Sequence, residues 1–118
     1  MITSQILIGL FFTHWVGDFV LQSRWMGNNK SKNWKALTAH VATYTAILLQ
    51  FALIVNIHHA LVFTFINGIV HLITDAITSR ITSNLYKANK IYAFFTVIGF
   101  DQFIHCATLV LTLQILLG

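Results

Sequence analysis

Three aspartates are the only acidic residues in 118, and each stands four positions from a histidine inside an otherwise apolar run. The motifs are His14-Trp-Val-Gly-Asp18, His71-Leu-Ile-Thr-Asp75 and, in reverse, Asp101-Gln-Phe-Ile-His105. On a helix, residues four apart share one face, one turn apart, so each motif sets two potential ligands on one stripe. An ionised carboxylate at the centre of a membrane helix costs about 2.5–3.5 kcal/mol, so a fold for this chain must turn all three acids inward. It must then either protonate them against histidines or neutralise them with a cation.

Composition explains why these runs belong in a bilayer. Apolar residues make up 57% of the chain and charged ones 8%, with no proline, whereas soluble domains carry about 25% charged residues. A single domain of this size has too much surface for its volume to bury so much apolar area from water. The expected fold is all-α: a polytopic membrane protein with a four-helix antiparallel bundle in residues 1–118. Its spans fall at about 2–22, 35–56, 60–79 and 91–117, each near the roughly 20 residues that cross a hydrocarbon core. A polar, turn-forming stretch at Gly27–Asn33 and a polar segment at Thr82–Lys90 separate them, and Asn56–His59 is a short turn that makes spans two and three a hairpin. The N-terminus lacks the basic region of a secretory signal, so the first run is read as a retained span. The lone Cys106 excludes an intrachain disulfide and is read as a small buried residue.

All seven lysines and arginines fall in two loops, Arg24, Lys30, Lys32 and Lys35 after span one and Arg80, Lys87 and Lys90 after span three. Four spans place both loops on one side, which the positive-inside rule makes cytoplasmic, with N- and C-termini outside. Trp25, Trp34, Tyr86 and Tyr92 flank the same loops as interfacial anchors do. A net charge of +4 is thereby explained by topology, with no nucleic-acid partner. Arg24, Lys30 and Lys32 are candidate contacts for an anionic headgroup or phosphate. A faint repeat relates the halves, with His14 and His71, Asp18 and Asp75, and Lys30 and Lys87 each 57 residues apart.

The pooled candidate ligands are His14, His40, His71, His105, Asp18, Asp75 and Asp101. Counted at 1.5 Å per residue, Asp18, His40 and Asp75 lie about 8–9 Å below the basic boundary and Asp101 about 16 Å. The N/O donor set suits Zn first, then Mn or Fe(II). No basic residue lies within the spans, so three carboxylates call for two divalent ions and a bridging hydroxide to reach neutrality. Gln22, Gln102 and Thr74 stand near the motifs as candidate partners to the ligands. His58 and His59, adjacent in the outer turn, are read as interfacial polarity. The alternative for the whole set is a His/Asp hydrogen-bond network tying the helices together.

The run His14-x-x-x-Asp18-Phe-x-Leu-Gln22-Ser-x-Trp25-Met26, then Lys30-x-Lys32, Trp34 and His40, resembles a family of small bacterial and phage membrane proteins, domain-of-unknown-function family 3307. The later His71-x-x-x-Asp75 and Asp101-Gln102-x-x-His105 resemble that family's downstream motifs. The resemblance implies a multi-pass protein of the bacterial inner membrane and carries no activity. The layout is more loosely similar to membrane-bound metal-dependent hydrolases.

Three functions remain open. The first is a metal-dependent hydrolase of a lipid-linked or phosphate-bearing substrate, with His40 and Asp18 as catalytic candidates. The second is a small homo-oligomeric transporter or ion or proton conductor. The third is a structural or regulatory phage factor in a host membrane.

Overall fold

The computed structural model describes residues 1–117, and within them the chain is helical with short connections. Helix α1 runs Ser4–Trp15, capped by Thr3, whose hydroxyl accepts from the Ile6 amide at 3.2 Å. A π-helical turn, Val16–Val20, continues it. Helix α2 is a short Arg24–Asn29, capped by Ser23. Helices α3 (Trp34–Val55), α4 (Ala60–Lys87) and α5 (Ile91–Thr112) form the body, and α5 ends in a second π-helical turn, Leu113–Leu117. The Asn56 side chain accepts from the His58 and His59 amides and turns α3 back on α4 as an antiparallel pair. Helix α4 packs against both α3 and α5, and α1 lies against α3.

The distribution of polarity in α4 is inverted relative to a soluble helix. Leu61, Phe65, Ile69, Ile73, Ile77 and Ile81, four apart in series, are all exposed. Thr64, Asn67, His71, Asp75 and Thr78 are buried. A helix turns its apolar stripe toward the medium that dissolves it. Among the described residues three helices are long and apolar enough to cross a membrane: Trp34–Val55, Ala60–Lys87 and Ile91–Leu117.

The sequence reading requires three corrections. The first expected span, 2–22, is not a continuous helix of spanning length. With its π-helical turn it runs Ser4–Val20, which rises at most about 25 Å against a core of about 30 Å. The widened turn that follows coincides with Gly17, where an added Cβ would stand 3.0 Å from the Tyr44 ring. Helix α4 does not end with the expected span near Ser79 but carries the polar segment that follows it, as far as Lys87, in the same helix. Thr82, Ser83 and Asn84 are weak helix formers, yet with neither glycine nor proline present the ladder is not broken until Asn89, at φ 58°. The expected loop at Gly27–Asn33 begins as the last part of α2.

The interior is divided along the bundle. Leu10, Leu48, Ala52, Ala60, Phe63, Leu109 and Leu113 form a dry apolar cluster toward the Asn56 turn. The buried histidines and aspartates occupy the other part, nearer the basic connections.

Candidate metal centre

Five segments deliver the polar cluster. The α1–π unit supplies His14 and Asp18, α3 supplies His40 and Tyr44, α4 supplies His71, Asp75 and Thr78, and α5 supplies Asp101, Gln102 and His105. Lys30 reaches in from just beyond α2. All seven candidate ligands are buried.

The tightest group is Asp18 Oδ1, His40 Nε2 and His71 Nε2. The carboxylate oxygen lies 2.9 Å from His40 Nε2 and 3.5 Å from His71 Nε2, and the two ring nitrogens are 3.1 Å apart. Ligands about 2.0–2.1 Å from a tetrahedral zinc ion stand roughly 3.3 Å from one another. Two imidazole nitrogens at this separation cannot both point a proton inward, so at least one lone pair faces the other ring and the carboxylate. Neither ring's Nδ1 has a protein partner. These three residues could hold a metal ion, and so could a second set, Asp18, Asp101 and His105, which shares the Asp18 carboxylate. In that second set His105 Nε2 is 3.2 Å from Asp101 Oδ2 but is not aligned to hydrogen-bond it.

The other candidates take different positions. Asp75 Oδ2 is 3.4 Å from His40 Nε2 and 3.9 Å from His71 Nε2, but it also lies 3.1 Å from the Lys30 ammonium. Lys30 hydrogen-bonds the other oxygen at 3.2 Å. The expectation that no basic residue reaches the buried acids is therefore corrected. Lys30 lies outside the spans, yet its four-carbon stem brings the charge inward. Three carboxylates and one ammonium sum to −2, and one divalent ion, not two, gives neutrality.

His14, expected among the ligands, has both ring nitrogens engaged elsewhere. The Gln102 amide nitrogen donates to Asp18 Oδ2 at 2.9 Å and Asp101 Oδ2 at 3.0 Å, which turns its Oε1 to accept from His14 Nε2 at 2.7 Å. His14 Nδ1 then accepts from the Tyr44 hydroxyl at 2.8 Å. His14 thus orients the glutamine that braces two carboxylates. Thr78 donates to Asp101 Oδ1 at 2.5 Å. Gln22 lines the adjacent cavity with its Oε1 unpartnered, and the Thr74 backbone carbonyl, 2.9 Å from the Thr78 hydroxyl, competes with Asp101 for that hydroxyl's one proton.

Tyr44 was not among the residues singled out in the sequence. Its ring stacks on His71 at 4.1 Å between centroids, and His71 stacks on His105 at 4.2 Å. This column fixes the His71 plane before any ligand arrives. The signal was present, because Tyr44 follows His40 by four residues, the spacing of the three acidic motifs.

A half-open cavity of about 210 Å³ adjoins the cluster. Asp18, Lys30, Asp75, Asp101 and Gln102 form its polar wall, and Phe19, Phe94 and Ile98 its apolar one. The three acids thus line one pocket.

Of the basic residues read as headgroup contacts, Lys30 faces Asp75, Lys32 lines a separate cavity with Arg80, and Arg24 opens α2 at the surface and lines neither cavity. Comparison with protein families gives a match to DUF3307, proteins of unknown function, over residues 6–117. That match spans both the α1 motif and the α5 motif and supplies no support for the looser hydrolase likeness. No curated protein and no solved structure matches the chain.

Proposed function

Since the chain belongs to DUF3307 and that family assigns no reaction, we propose from the site itself that the protein is a divalent-metal-dependent hydrolase of the bacterial inner membrane. The observation that carries the reading is the Asp18–His40–His71 group, with separations of 2.9, 3.1 and 3.5 Å in a pocket whose fixed charges sum to −2. Asp18, His40 and His71 hold the ion, Zn by preference and Mn or Fe as alternatives. A bound divalent ion there lowers the pKa of a water ligand toward 7 and polarises a phosphoryl or acyl oxygen. His40 serves as a ligand in this arrangement. The Asp101–His105 pair, on the other side of Asp18, is the better-placed proton acceptor. The cavity has a polar wall and a wall of Phe19, Phe94 and Ile98, which suits an amphiphile whose polar end bears a phosphate or ester.

The orientation that goes with this reading is four membrane segments with both termini outside and the cavity reached from the cytoplasmic leaflet. The α1–π unit enters that count as a short fourth segment, with the adjoining turn and α2 at the basic interface. Conduction through one protomer is the weaker reading. Beyond the histidines the bundle is closed by Leu10, Leu48, Phe63, Leu109 and Leu113, each 1% exposed or less. A homo-oligomeric conductor would use the same groups to bind a cation or relay protons, and a structural phage factor would keep them as a hydrogen-bonded His40–Asp18 and His71–His40 network.

The test is elemental analysis and thermal melting of the wild type, Asp18→Asn and Asp75→Asn, with and without chelator. Asp18→Asn keeps the volume and removes a ligand charge, so metal content should collapse while helicity is retained. A ligand bound only to the native state stabilises it by mass action, so chelator should lower the wild-type melting temperature. A metal-free wild type whose melting ignores chelator and added Zn or Mn rejects the reading and leaves the conductor and the structural hydrogen-bond network in its place.

A further inference from the structure

A second cavity, also of about 210 Å³, shares no lining residue with the first. Lys32, Arg80 and Lys87 line it together with Ser31, Ser83 and Asn84. Three cations meet there without an acid, because all three aspartates line the first cavity. Among the described residues only Lys30 of the seven basic side chains pairs with a carboxylate. Like charges gathered in one concavity repel, and the hydroxyl and amide groups between them offer no compensating charge. The arrangement is complementary to an anion with several acceptor oxygens.

The length of α4 gives the depth. Its 28 residues rise about 42 Å, against a hydrocarbon core of about 30 Å. Counted from Ala60, about 20 residues cross, so the overhang begins at Arg80 and carries Ser83, Asn84 and Lys87. The exposed aromatic rings Trp34 and Tyr86 flank the same end, as residues of the headgroup layer do. Arg80 is held in position by the Trp34 ring, 4.6 Å below its guanidinium carbon, and by donation from Nη1 to the Ala76 carbonyl at 2.5 Å. One such bond leaves most of the guanidinium's five donors free for a ligand.

We propose that Lys32, Arg80 and Lys87 form a phosphoryl-anion site, distinct from the metal centre and set at the level of lipid phosphates. The occupant is a phosphate group, carried by an anionic lipid or free in solution. The site is independent of the metal reading and should persist when Asp18 is replaced.

The experiment uses the full chain in neutral detergent with Trp15→Phe and Trp25→Phe, so that Trp34 is the sole indole. Its emission is followed during titration with short-chain phosphatidic acid, inorganic phosphate and short-chain phosphatidylcholine. Phosphatidic acid should give a saturable change, with phosphate weaker and the zwitterionic lipid inert. Arg80→Gln and Lys32→Gln should each raise the half-saturation concentration at least tenfold, while Lys90→Gln, outside the cavity, and Asp18→Asn should leave it within about twofold, less than the 1.4 kcal/mol of a tenfold change. Response to phosphate with none to the lipid assigns the site to a soluble phosphate and keeps the proposal. Equal response to phosphatidylcholine, or a response unmoved by both Lys32→Gln and Arg80→Gln, overturns it. Lys32 is exposed, so its variant remains informative where Arg80→Gln does not fold.

Discussion

Replacing Lys30 by methionine should weaken the metal-free protein and tighten its hold on a divalent cation. Methionine keeps the unbranched stem and removes only the charge. In the metal-free state Asp75, 3% exposed, loses the ammonium 3.1 Å away and remains a buried carboxylate. Breaking a buried pair by removing one partner costs about 3–5 kcal/mol, and the 18% exposure of the Lys30 side chain places this case near 3. The cation-bound state responds with the opposite sign. Steps of 3.1 Å from Nζ to Asp75 Oδ2 and 3.4 Å on to His40 Nε2 put the trio about 6 Å from the ammonium. At an effective dielectric of 20 a divalent ion there is repelled by twice the roughly 2.8 kcal/mol of a unit charge, and relaxation around the site leaves about one unit's worth as the working value. Removing that repulsion tightens binding roughly a hundredfold. The assay is calorimetric titration with Zn and Mn, paired with melting in chelator. Lys30→Met/Asp75→Asn restores a fixed charge of −2 and should recover most of the metal-free stability with near wild-type affinity. Unchanged or weaker cation binding by Lys30→Met would refute the charge argument, and so would a metal-free variant as stable as the wild type.

Other outcomes follow from individual contacts. Gly17→Ala places a methyl 3.0 Å from the Tyr44 ring and should cost about 1–3 kcal/mol in melting experiments by overpacking. Gly99→Ala meets nothing within 4 Å and should be neutral or stabilising by up to about 1 kcal/mol, since alanine is the better helix former. Tyr44→Phe retains the stack on His71 but leaves His14 Nδ1 without its donor, which should lower stability by about 1–3 kcal/mol while metal content is unchanged. Reporter fusions after Asn29 and after Gly118 should report opposite sides of the membrane, with Asn29 cytoplasmic. A cytoplasmic Gly118 reporter would reverse the orientation.

What the sequence made legible was decided by periodicity and by the scarcity of acids. Helix α3, and α5 together with its π-helical turn, begin and end close to the expected span bounds, because long apolar runs between polar stretches admit few alternatives. The i/i+4 motifs also picked out side chains that the fold gathers in one polar cluster. Hydropathy could not see the change from α- to π-helix after Trp15, since Val16–Val20 is as apolar as the helix before it and the widening coincides with Gly17 lying on Tyr44. It placed the end of the third span near Ser79, where Arg80 marks a change of medium, and was silent on the backbone ladder, which runs on to Lys87. The sequence reading assigned Lys30, with Arg24 and Lys32, to headgroup or phosphate contacts and not to a buried acid. The inward reach of Lys30, like the bracing of Gln102 by His14, depends on neighbours distant in the chain.

The inverted polarity of α4 bears on the order in which the bundle can assemble. A lone helix carrying Asn67, His71, Asp75 and Thr78 would enter lipid with four polar side chains bare, and Asp75 alone would cost about 2.5–3.5 kcal/mol if ionised. In chain order, however, Lys30 and His40 precede it, so the groups found 3.1 and 3.4 Å from Asp75 are already made when α4 emerges. Asp101 likewise follows its donor Thr78. Only Asp18 precedes all of its closest partners, His40, His71 and Gln102, and it lies on the one segment too short to be a full span. The carboxylate that must wait longest for company is thus carried by a helix shorter than α3, α4 and α5. Docking of the α1–π unit would then be the late step that closes the cluster.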